Sequence, residues 1–322
     1  MKKVLLSNRY EGELRAILMQ ANDGRFDLEM LPEVSREAFH ELAHDADYII
    51  SSGKLGIDEE LLKNAPKLKM IQRTGVGVDR IDLDAMKRYG IPLYVNRGVN
   101  AVSVAEYTLM LILAALKRHR LVDAHMRAGA WDKTAEGVKT RELAGRTVGL
   151  IGMGKIGSAV ARMLSGFDTD VIYTCPHRKS AEEEERFSIR YTDLDTLLAQ
   201  SDIVSLHCPY DKDKGCMIGE RELALMKDGA VLVNTARGRL VDEAALIRAL
   251  ENGKLSACGM DTFAEEPLPK DSVLRSVDRL LLSPHIAGLS YESYERMLFG
   301  AFRNIALFDE GKTDVIADCL YS

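Results

Sequence analysis

The sequence contains few of the features that mark membrane, secreted or nucleic-acid-binding proteins. Its longest uninterrupted apolar run, residues 109–116, is far shorter than the roughly 20 residues that a membrane-spanning helix needs. Residues 1–3 lead directly into a short strand-like segment, which is not the pattern of a signal peptide. Acidic residues outnumber basic ones by 49 to 43, and no cluster of lysines and arginines stands out. We therefore expect small-molecule ligands, no membrane anchor and no nucleic-acid partner.

Cysteine is also scarce. The five cysteines are odd in number and form no C-x-x-C pair, so a reducing cytoplasm is the expected compartment. The seven histidines are scattered, and none lies at ligand spacing from a cysteine, which argues against a zinc site. No metal is predicted.

Length and a repeating pattern are what the sequence does have. With 322 residues, 46% of them hydrophobic, the chain is long enough for two globular domains. Strand-like apolar segments alternate with helical patterns at residues 4–6, 26–30, 48–50, 69–71 and 93–95, and again at 147–151, 170–174, 203–207, 230–234, 257–260 and 280–283. This alternation predicts two parallel sheets with crossover helices.

The segments between and after these two series are predicted to be helical. Helix 101–117, which Asn100 can cap, is apolar on most of its circumference, and the arm that follows contains the single tryptophan, Trp131. We expect this helix to be buried, either in the core or against a second subunit, and both remain open. A last amphipathic helix, 291–308, is expected to return to the first domain without a strand of its own. The acidic run 182–185 is expected to be an exposed helix face.

A glycine-rich turn of the pattern G-x-G-x-x-G lies between an apolar strand and a predicted helix. Gly152 would make the tight turn, Gly154 would let the backbone approach a pyrophosphate, and Gly157 would let the helix pack on the strand. Backbone amides at the start of the helix, at Lys155 and Ile156, would then hold the diphosphate. Accidental glycines in an ordinary turn are the alternative, but the context favours a dinucleotide site.

The ribose end of this predicted site departs from the usual NAD pattern. An acidic residue after the second strand would accept hydrogen bonds from the ribose 2′-hydroxyl, but Cys175 stands there. His177, Arg178 and Lys179 follow, and a cation at this place would suit a 2′-phosphate. NADP is therefore open beside NAD.

Polar residues at the carboxyl ends of the second series of strands are the candidates for chemistry, because ligands of doubly wound sheets bind there. They include Arg237, Asp261, Glu266 and His285. Histidine, with an ordinary pKa of about 6.5, suits proton transfer with a substrate hydroxyl. Glu266 would stabilise the protonated ring and fix its tautomer, and Arg237 could hold a carboxylate and polarise a carbonyl oxygen. These residue types together indicate hydride transfer at an alcohol carbon.

Each of these residues also has a purely structural interpretation. His285 could be a helix cap or a buried structural histidine, and Glu266 could be a solvated loop residue. Arg237 could be a surface charge at a helix end. His207, on an apolar strand before Pro209, fits the adenine side of a cofactor site better than proton transfer.

The chain resembles the D-isomer-specific 2-hydroxyacid dehydrogenases over nearly its whole length. The matching stretches are 73–79 (RTGVGVD), 100–106 (NAVSVAE), 152–157 (GMGKIG), 207–209 (HCP), 234–238 (NTARG), 261–263 (DTF), 266–267 (EP) and 283–288 (SPHIAG). The residues after His285 are most similar to the branch with glyoxylate and hydroxypyruvate reductases and phosphoglycerate dehydrogenases.

The resemblance implies roles for individual residues. The catalytic residues that it implies are Arg237, Glu266 and His285, with Arg237 also binding substrate. The substrate-binding positions, mainly backbone amides that hold a carboxylate, are Ser52, Gly53, Val76, Gly77 and Asn100. Besides the glycine turn and the ribose loop, the implied cofactor contacts are Val104, His207, Cys208, Pro209, Thr235, Ala236 and Asp261, the last at the nicotinamide carboxamide.

The resemblance also implies an α/β fold of two doubly wound parallel-sheet domains, with a Rossmann cofactor domain inserted in a flavodoxin-like substrate domain. The expected boundaries are 1–99 with 287–322 for substrate and 100–286 for dinucleotide binding. A homodimer is implied, with contacts from the long helix and arm. The predicted function is hydride transfer between NAD or NADP and a small D-2-hydroxy acid or its 2-oxo acid.

Two other functions share this fold and stay open. Nucleotide-sensing corepressors keep a similar Arg, Glu and His set while binding peptides. A formate- or phosphite-type dehydrogenase would keep the sheet and change the substrate. The corepressors are expected to carry a peptide groove and a disordered C-terminal tail, which are not expected here, and turnover of a 2-oxo acid distinguishes the formate- or phosphite-type enzyme from the predicted one.

Overall fold

The computed structural model describes residues 1–321, and Ser322, which ends the range expected for the substrate domain, lies outside them. The chain divides into two compact units, each built around one sheet. Met1–Asn100 and the residues from Leu289 onward form the first unit, and Ala101–Gly288 form the second. Within residues 1–321, no helix is both long and apolar enough to cross a membrane.

Strands and helices alternate along most of the chain. The strands are β1 (Lys3–Leu6), β2 (Asp27–Met30), β3 (Tyr48–Ser51), β4 (Met70–Arg73), β5 (Leu93–Tyr94), β6 (Thr147–Ile151), β7 (Asp170–Thr174), β8 (Ile189–Tyr191), β9 (Ile203–Leu206), β10 (Ala230–Asn234), β11 (Leu255–Met260), β12 (Leu280–Leu282) and β13 (Cys319–Tyr321). The helices are α1 (Gly12–Asn22), α2 (Arg36–Ala43), α3 (Glu59–Lys63), α4 (Leu83–Tyr89), α5 (Ala101–Leu116), α6 (His119–Arg127), α7 (Lys133–Gly137), α8 (Lys155–Leu164), α9 (Ala181–Phe187), α10 (Leu194–Gln200), α11 (Glu220–Leu225), α12 (Glu243–Glu251) and α13 (Tyr291–Asp309).

The first unit has a sheet in the order β13-β5-β4-β3-β1-β2. Strands β1 to β5 run parallel, whereas β13 pairs antiparallel to β5, with Cys319 opposite Tyr94. The expectation that the tail has no strand was therefore wrong. A three-residue edge strand carries too little alternation to be recognised in a sequence.

Successive strand residues of the first unit pack on opposite faces of its sheet, as the period of a strand requires. Val4 and Leu6 lie in one apolar cluster with residues of α1 and α13. Leu5 lies in a second cluster with residues of α2, α3 and α4. The sheet is thus covered by helices on both faces, and α13 is part of the core of this unit.

The second unit has a parallel sheet in the order β12-β11-β10-β9-β6-β7-β8. The α/β class with two doubly wound sheets is confirmed. Strand β8 was not predicted, because it is an edge strand in which only Ile189 is buried. The winding direction reverses between β6 and β9, which is where ligands of such sheets bind.

Helix α5 is only partly buried in the second unit. It packs on α8 and on the sheet through residues such as Leu111 and Ile112. Val102 and Met110, however, are 41% and 42% exposed in the single chain, so this stripe of the helix is not buried in the core of its unit, and burial against a second subunit stays a prediction. Helix α6 has no buried residue, and Trp131 in the arm is 78% exposed.

Candidate active site

The glycine-rich turn lies where the second sheet reverses its winding, between the ends of β6 and β9. Gly152 has a φ of 102°, and a Cβ built on it would lie 2.5 Å from the backbone oxygen of His207. A Cβ on Gly157 would overlap the backbone oxygen of Gly152. Both positions therefore require glycine if α8 is to pack this closely on the strand ends.

The middle glycine of the motif faces open space. Apart from Gly154 itself and its two neighbours in the chain, no atom lies within 4 Å of a Cβ built on this residue. Gly154 immediately precedes α8. Lys155 and Ile156 are the first two residues of α8, so their amides lie at the positive end of the helix dipole. An open backbone surface at a helix N-terminus fits the diphosphate of a dinucleotide.

The segment after β7 carries the residues expected to decide between NAD and NADP. The thiol of Cys175 donates to the backbone oxygen of His177 at 2.9 Å. Glu184 accepts two hydrogen bonds from Arg178, at 2.9 and 2.8 Å. The Nζ of Lys179 lies 3.0 Å from Oε1 of Glu183, which like Glu184 belongs to α9. The two cations of this loop are thus engaged by carboxylates.

The acidic run 182–185 is therefore not simply an exposed helix face. The Glu184 side chain is 13% exposed and also accepts a hydrogen bond from the hydroxyl of Tyr173 at 2.7 Å. Hydrogen bonds from Arg178 and Tyr173 lower the pKa of Glu184 to about 2. An ionised carboxylate at this position holds the arginine at neutral pH.

The turn after β10 brings Arg237 close to the segment that follows β11. The side chain of Asn234 donates to the backbone oxygen of Arg237 at 2.8 Å and so fixes the turn. A Cβ on Gly238 would overlap the backbone of Phe263, so only glycine permits this approach. As a result Arg237 lies near enough to Glu266 to influence its charge.

Glu266 connects this region to His285. Its Oε2 lies 2.8 Å from Nδ1 of His285, and its Oε1 accepts from the amide of Phe263 at 3.0 Å. Burial alone would raise the pKa of Glu266, but these hydrogen bonds and the charges of His285 and Arg237 bring it below its ordinary value. An ionised Glu266 favours the tautomer with a proton on Nδ1, which leaves Nε2 of the exposed ring for proton transfer.

Asp261 shapes the turn that carries His285. Its buried carboxylate accepts from the hydroxyl of Ser283 at 2.6 Å and from the amides of Ile286 and Ala287 at 2.9 and 2.8 Å. Its backbone oxygen accepts from the amide of His285 at 2.7 Å. Burial raises the pKa of Asp261, although the three hydrogen bonds that its carboxylate accepts act in the opposite direction. This anchoring is additional to the nicotinamide contact that the resemblance implies.

His207, Cys208 and Pro209 follow β9 beside the glycine-rich turn. The His207 ring lies 2.9 Å from the hydroxyl of Ser205, and burial lowers its pKa to about 4. Cys208 contacts the sulfur of Met217 at 3.7 Å, and burial raises the pKa of its thiol to about 11. Both side chains are neutral at physiological pH, which suits a wall of a nucleotide site better than proton transfer.

Three other predicted cofactor residues lie at α5 and after β10. The hydroxyl of Thr108 donates to the backbone oxygen of Val104 at 2.8 Å and lies 3.0 Å from the hydroxyl of Thr235. The amide of Ala236 donates to the side chain of Asn234 at 3.0 Å. Val104 and Thr235 are buried. These contacts tie α5 to the end of the sheet where the cofactor is expected.

The residues expected to bind the substrate carboxylate lie in two loops of the first unit. Ser52 and Gly53 follow β3, and Val76 and Gly77 follow β4. The Ser52 amide already donates to the hydroxyl of Ser7 at 2.9 Å. Val76 is 43% exposed, as a loop residue that meets a ligand can be.

Some residues that organise these regions carry little or no signal in the sequence. Thr108 is one of a few polar residues in a largely apolar helix, and that contrast was an available signal. Glu184 had none, because its partner Arg178 lies in an irregular loop. Arg73 was visible only as part of a matching stretch. Asn100, which was predicted to bind substrate, is the last residue of the first segment of the first unit, next to the start of the second unit in the sequence.

A glycine turn that fits a dinucleotide lies at the same carboxyl edge of the second sheet as Arg237, Glu266 and His285, and this arrangement is that of a nicotinamide-dependent oxidoreductase. Residues 109–287 match the family model described as D-isomer specific 2-hydroxyacid dehydrogenase, NAD binding domain. A glyoxylate reductase from Thermococcus litoralis is 38% identical over 277 residues, which cover 84% of this chain and 83% of that protein. The chain belongs to the D-isomer specific 2-hydroxyacid dehydrogenase family.

Two further relatives support this assignment. A D-3-phosphoglycerate dehydrogenase from Archaeoglobus fulgidus is 35% identical over 268 residues, which cover 83% of this chain and 50% of that protein. The crystal structure of a protein from Polaromonas sp. JS6 66, described as a D-isomer specific 2-hydroxyacid dehydrogenase, has 31% identity and a TM-score of 0.89 over 99% of both chains. The predicted family and its oxidoreductase function on hydroxy acids are confirmed.

Proposed function

We propose that this protein reduces a small 2-oxo acid to the D-2-hydroxy acid and catalyses the reverse oxidation, with His285 as acid and base. The observation that carries the proposal is the 2.8 Å contact between His285 and Glu266 in the unit that has the glycine turn. Glyoxylate and hydroxypyruvate are the first substrates to test. A glyoxylate reductase is among the relatives, and the Ile-Ala-Gly sequence after His285 favours that branch.

The chemistry divides between the cofactor and the side chains. A bound nicotinamide cofactor supplies the hydride that adds to the carbonyl carbon. Arg237 holds the substrate carboxylate and polarises the carbonyl oxygen. His285 donates the proton on Nε2 to that oxygen, while Nδ1 keeps its hydrogen and contacts Glu266. In the direction of oxidation, the neutral ring accepts the hydroxyl proton.

The two units take different parts in this proposal. Residues 1–99 and 287–322 bind the substrate, and 100–286 bind the dinucleotide. Backbone amides of Val76 and Gly77 hold the carboxylate, together with the loop that contains Gly53. The contact of the Ser52 amide with Ser7 favours the Gly53 amide as the donor in that loop.

We infer that the enzyme accepts both NADH and NADPH. Cys175 presents no acidic side chain to repel a 2′-phosphate, and Arg178 is the nearby cation. The ion pair of Arg178 with Glu184 opposes a strong NADP preference, because a 2′-phosphate must compete for the guanidinium. We expect kcat/KM values for the two cofactors that differ by less than about a hundredfold, which is about 2.7 kcal/mol of discrimination.

A homodimer in the cytoplasm completes the proposal. Val102 and Met110 of α5, Met126 of α6 and Trp131 are large apolar side chains that are exposed in the single chain and that a second copy would cover. The odd number of cysteines, without a C-x-x-C pair, supports a reducing compartment. Analytical ultracentrifugation of the purified protein tests the dimer.

Oxidation of NADH and NADPH by the purified protein tests the activity. The substrates are glyoxylate, hydroxypyruvate, pyruvate and bulkier 2-oxo acids, with chiral analysis of the product. We expect turnover of at least one small 2-oxo acid and a D product from any substrate that yields a chiral alcohol. Cofactor binding without turnover would favour a nucleotide-sensing protein, and reduction of NAD⁺ by formate or phosphite, with no turnover of any 2-oxo acid, would favour that other dehydrogenase class.

A further inference from the structure

We propose that Arg73 is a positioning residue for the substrate carboxylate, because its guanidinium clamps the two loops that are to bind it. The inference rests on the proposed function for the identity of the substrate. All the contacts that carry it lie within the first unit. No carboxylate contact is assigned to Arg73 itself.

The guanidinium bridges the ends of two neighbouring strands. Arg73 is the last residue of β4 and is 8% exposed. Its Nη1 donates to the backbone oxygen and the hydroxyl of Ser51, at 3.1 and 3.3 Å, at the end of β3. Its Nε and Nη2 donate to the backbone oxygen of Gly77, at 2.9 and 2.6 Å. One planar group therefore fixes both loops.

The loop after β3 lies directly against this guanidinium. A Cβ built on Gly53 would lie 2.6 Å from Nη2 and 2.7 Å from Nη1 of Arg73. Gly53 also has a φ of 88°, which a side chain would oppose. Any larger residue at position 53 must therefore shift either the loop or the guanidinium.

The clamp sets the direction of the neighbouring amides. In a trans peptide the C=O and N–H bonds point in opposite directions. The backbone oxygen of Ser51 accepts from the Thr74 amide and from Arg73, each at 3.1 Å, so the Ser52 amide points away, toward the hydroxyl of Ser7. The backbone oxygen of Gly77 is fixed in the same manner. The Gly53 amide comes one peptide after the Ser51 anchor, and the Val76 amide two peptides before the Gly77 anchor, so the clamp limits where each of these amides can lie.

Lysine cannot replace arginine in this role. A lysine keeps the positive charge, but its single nitrogen cannot reach three acceptors in two loops at the angles of the planar fork. The charge alone would attract a carboxylate without aligning the amides. The clamp and a simple electrostatic attraction therefore predict different results for Arg73→Lys.

Two variants test the clamp from opposite sides. Arg73→Lys removes the fork, and Gly53→Ala displaces it while the arginine remains. We expect each to raise the KM for the best 2-oxo acid by about tenfold or more and to weaken inhibition by oxamate equally. The kcat and the NADH dissociation constant, followed by NADH fluorescence, should stay near the wild-type values. Arg36→Gln, at an exposed arginine paired with Asp58 and Glu60, should change none of these.

Three outcomes would overturn the inference. One is that both variants fold and both keep the wild-type KM for the 2-oxo acid. Another is a parallel loss of NADH affinity and of melting temperature, which would show a general structural role. The third is a wild-type protein that reduces no 2-oxo acid, in which case the proposed function fails first and the inference falls with it.

Discussion

Replacing Asp261 with asparagine tests whether the turn of His285 depends on a buried carboxylate. Oδ1 accepts from the hydroxyl of Ser283 and the amide of Ile286, and Oδ2 accepts from the amide of Ala287. An asparagine side chain has one acceptor oxygen instead of two. At least one of the two backbone amides must therefore face an NH2 group and lose its partner.

The size of the effect follows from this lost contact. Leaving a buried backbone amide without a partner costs about 1–3 kcal/mol. His285 has a φ of 53°, a strained conformation for a residue with a side chain, which persists only where neighbours hold it. If the loss displaces His285 in the reacting complex, kcat falls roughly 5- to 150-fold, since about 1.4 kcal/mol corresponds to a factor of ten.

Steady-state reduction of a 2-oxo acid at saturating NADH measures this change. Asp242→Asn is the matched control, because Asp242 caps α12 through the amide of Ala245 at 3.0 Å and asparagine caps a helix equally well. The control should keep the wild-type kcat. An unchanged kcat in Asp261→Asn would refute the reasoning, and a rise in the KM for NADH alone would leave Asp261 only a nicotinamide contact.

Three other substitutions separate the roles proposed for charged residues. Arg237→Ala should raise the KM for the 2-oxo acid and lower kcat, because the guanidinium acts in both ground and transition states; initial rates that show only one change would contradict this. Glu266→Gln removes the charge that stabilises the protonated imidazole, so the pH profile of reduction should move to lower pH, and an unmoved profile would argue against the pairing. In the wild type, the pKa of Glu266 lies below the ordinary glutamate value. The carboxylate therefore stays ionised until the pH falls through this lowered pKa. Glu184→Gln should release Arg178 and raise kcat/KM for NADPH relative to NADH several-fold, whereas Glu185→Gln, at an exposed glutamate of the same helix, should not; equal ratios in both variants would exclude a role for the ion pair.

Most of the fold could be predicted from the sequence because its central strands are buried on both faces. Segments such as Val148 to Ile151 read as continuous apolar runs, which is typical of parallel sheets. Strands β8 and β13 were missed because both are edge strands of only three residues, too short to show a clear pattern. The sequence left open whether α5 is buried in the core or against a second subunit, because an apolar helix gives no sign of which of its faces the core covers.

The candidate site was predictable where it depends on strand ends and not where it depends on contacts between distant segments. The rule for doubly wound sheets selected Arg237, Glu266 and His285, and the structure brings the last two within 2.8 Å. The anchoring by Asp261 and the clamp at Arg73 depend on which backbone groups meet in three dimensions. No spacing in the sequence specifies those contacts.

Turnover by His285→Ala tests the central proposal most directly. The assay is NADH-dependent reduction of the best small 2-oxo acid, with NADH affinity measured in parallel and His44→Ala, at an exposed histidine of the first unit, as the control. A positioned acid contributes roughly 10² to 10⁴ to the rate, so kcat should fall by that factor while NADH affinity and the control remain unchanged. Near-normal turnover by His285→Ala would contradict the mechanism and leave His285 a structural residue.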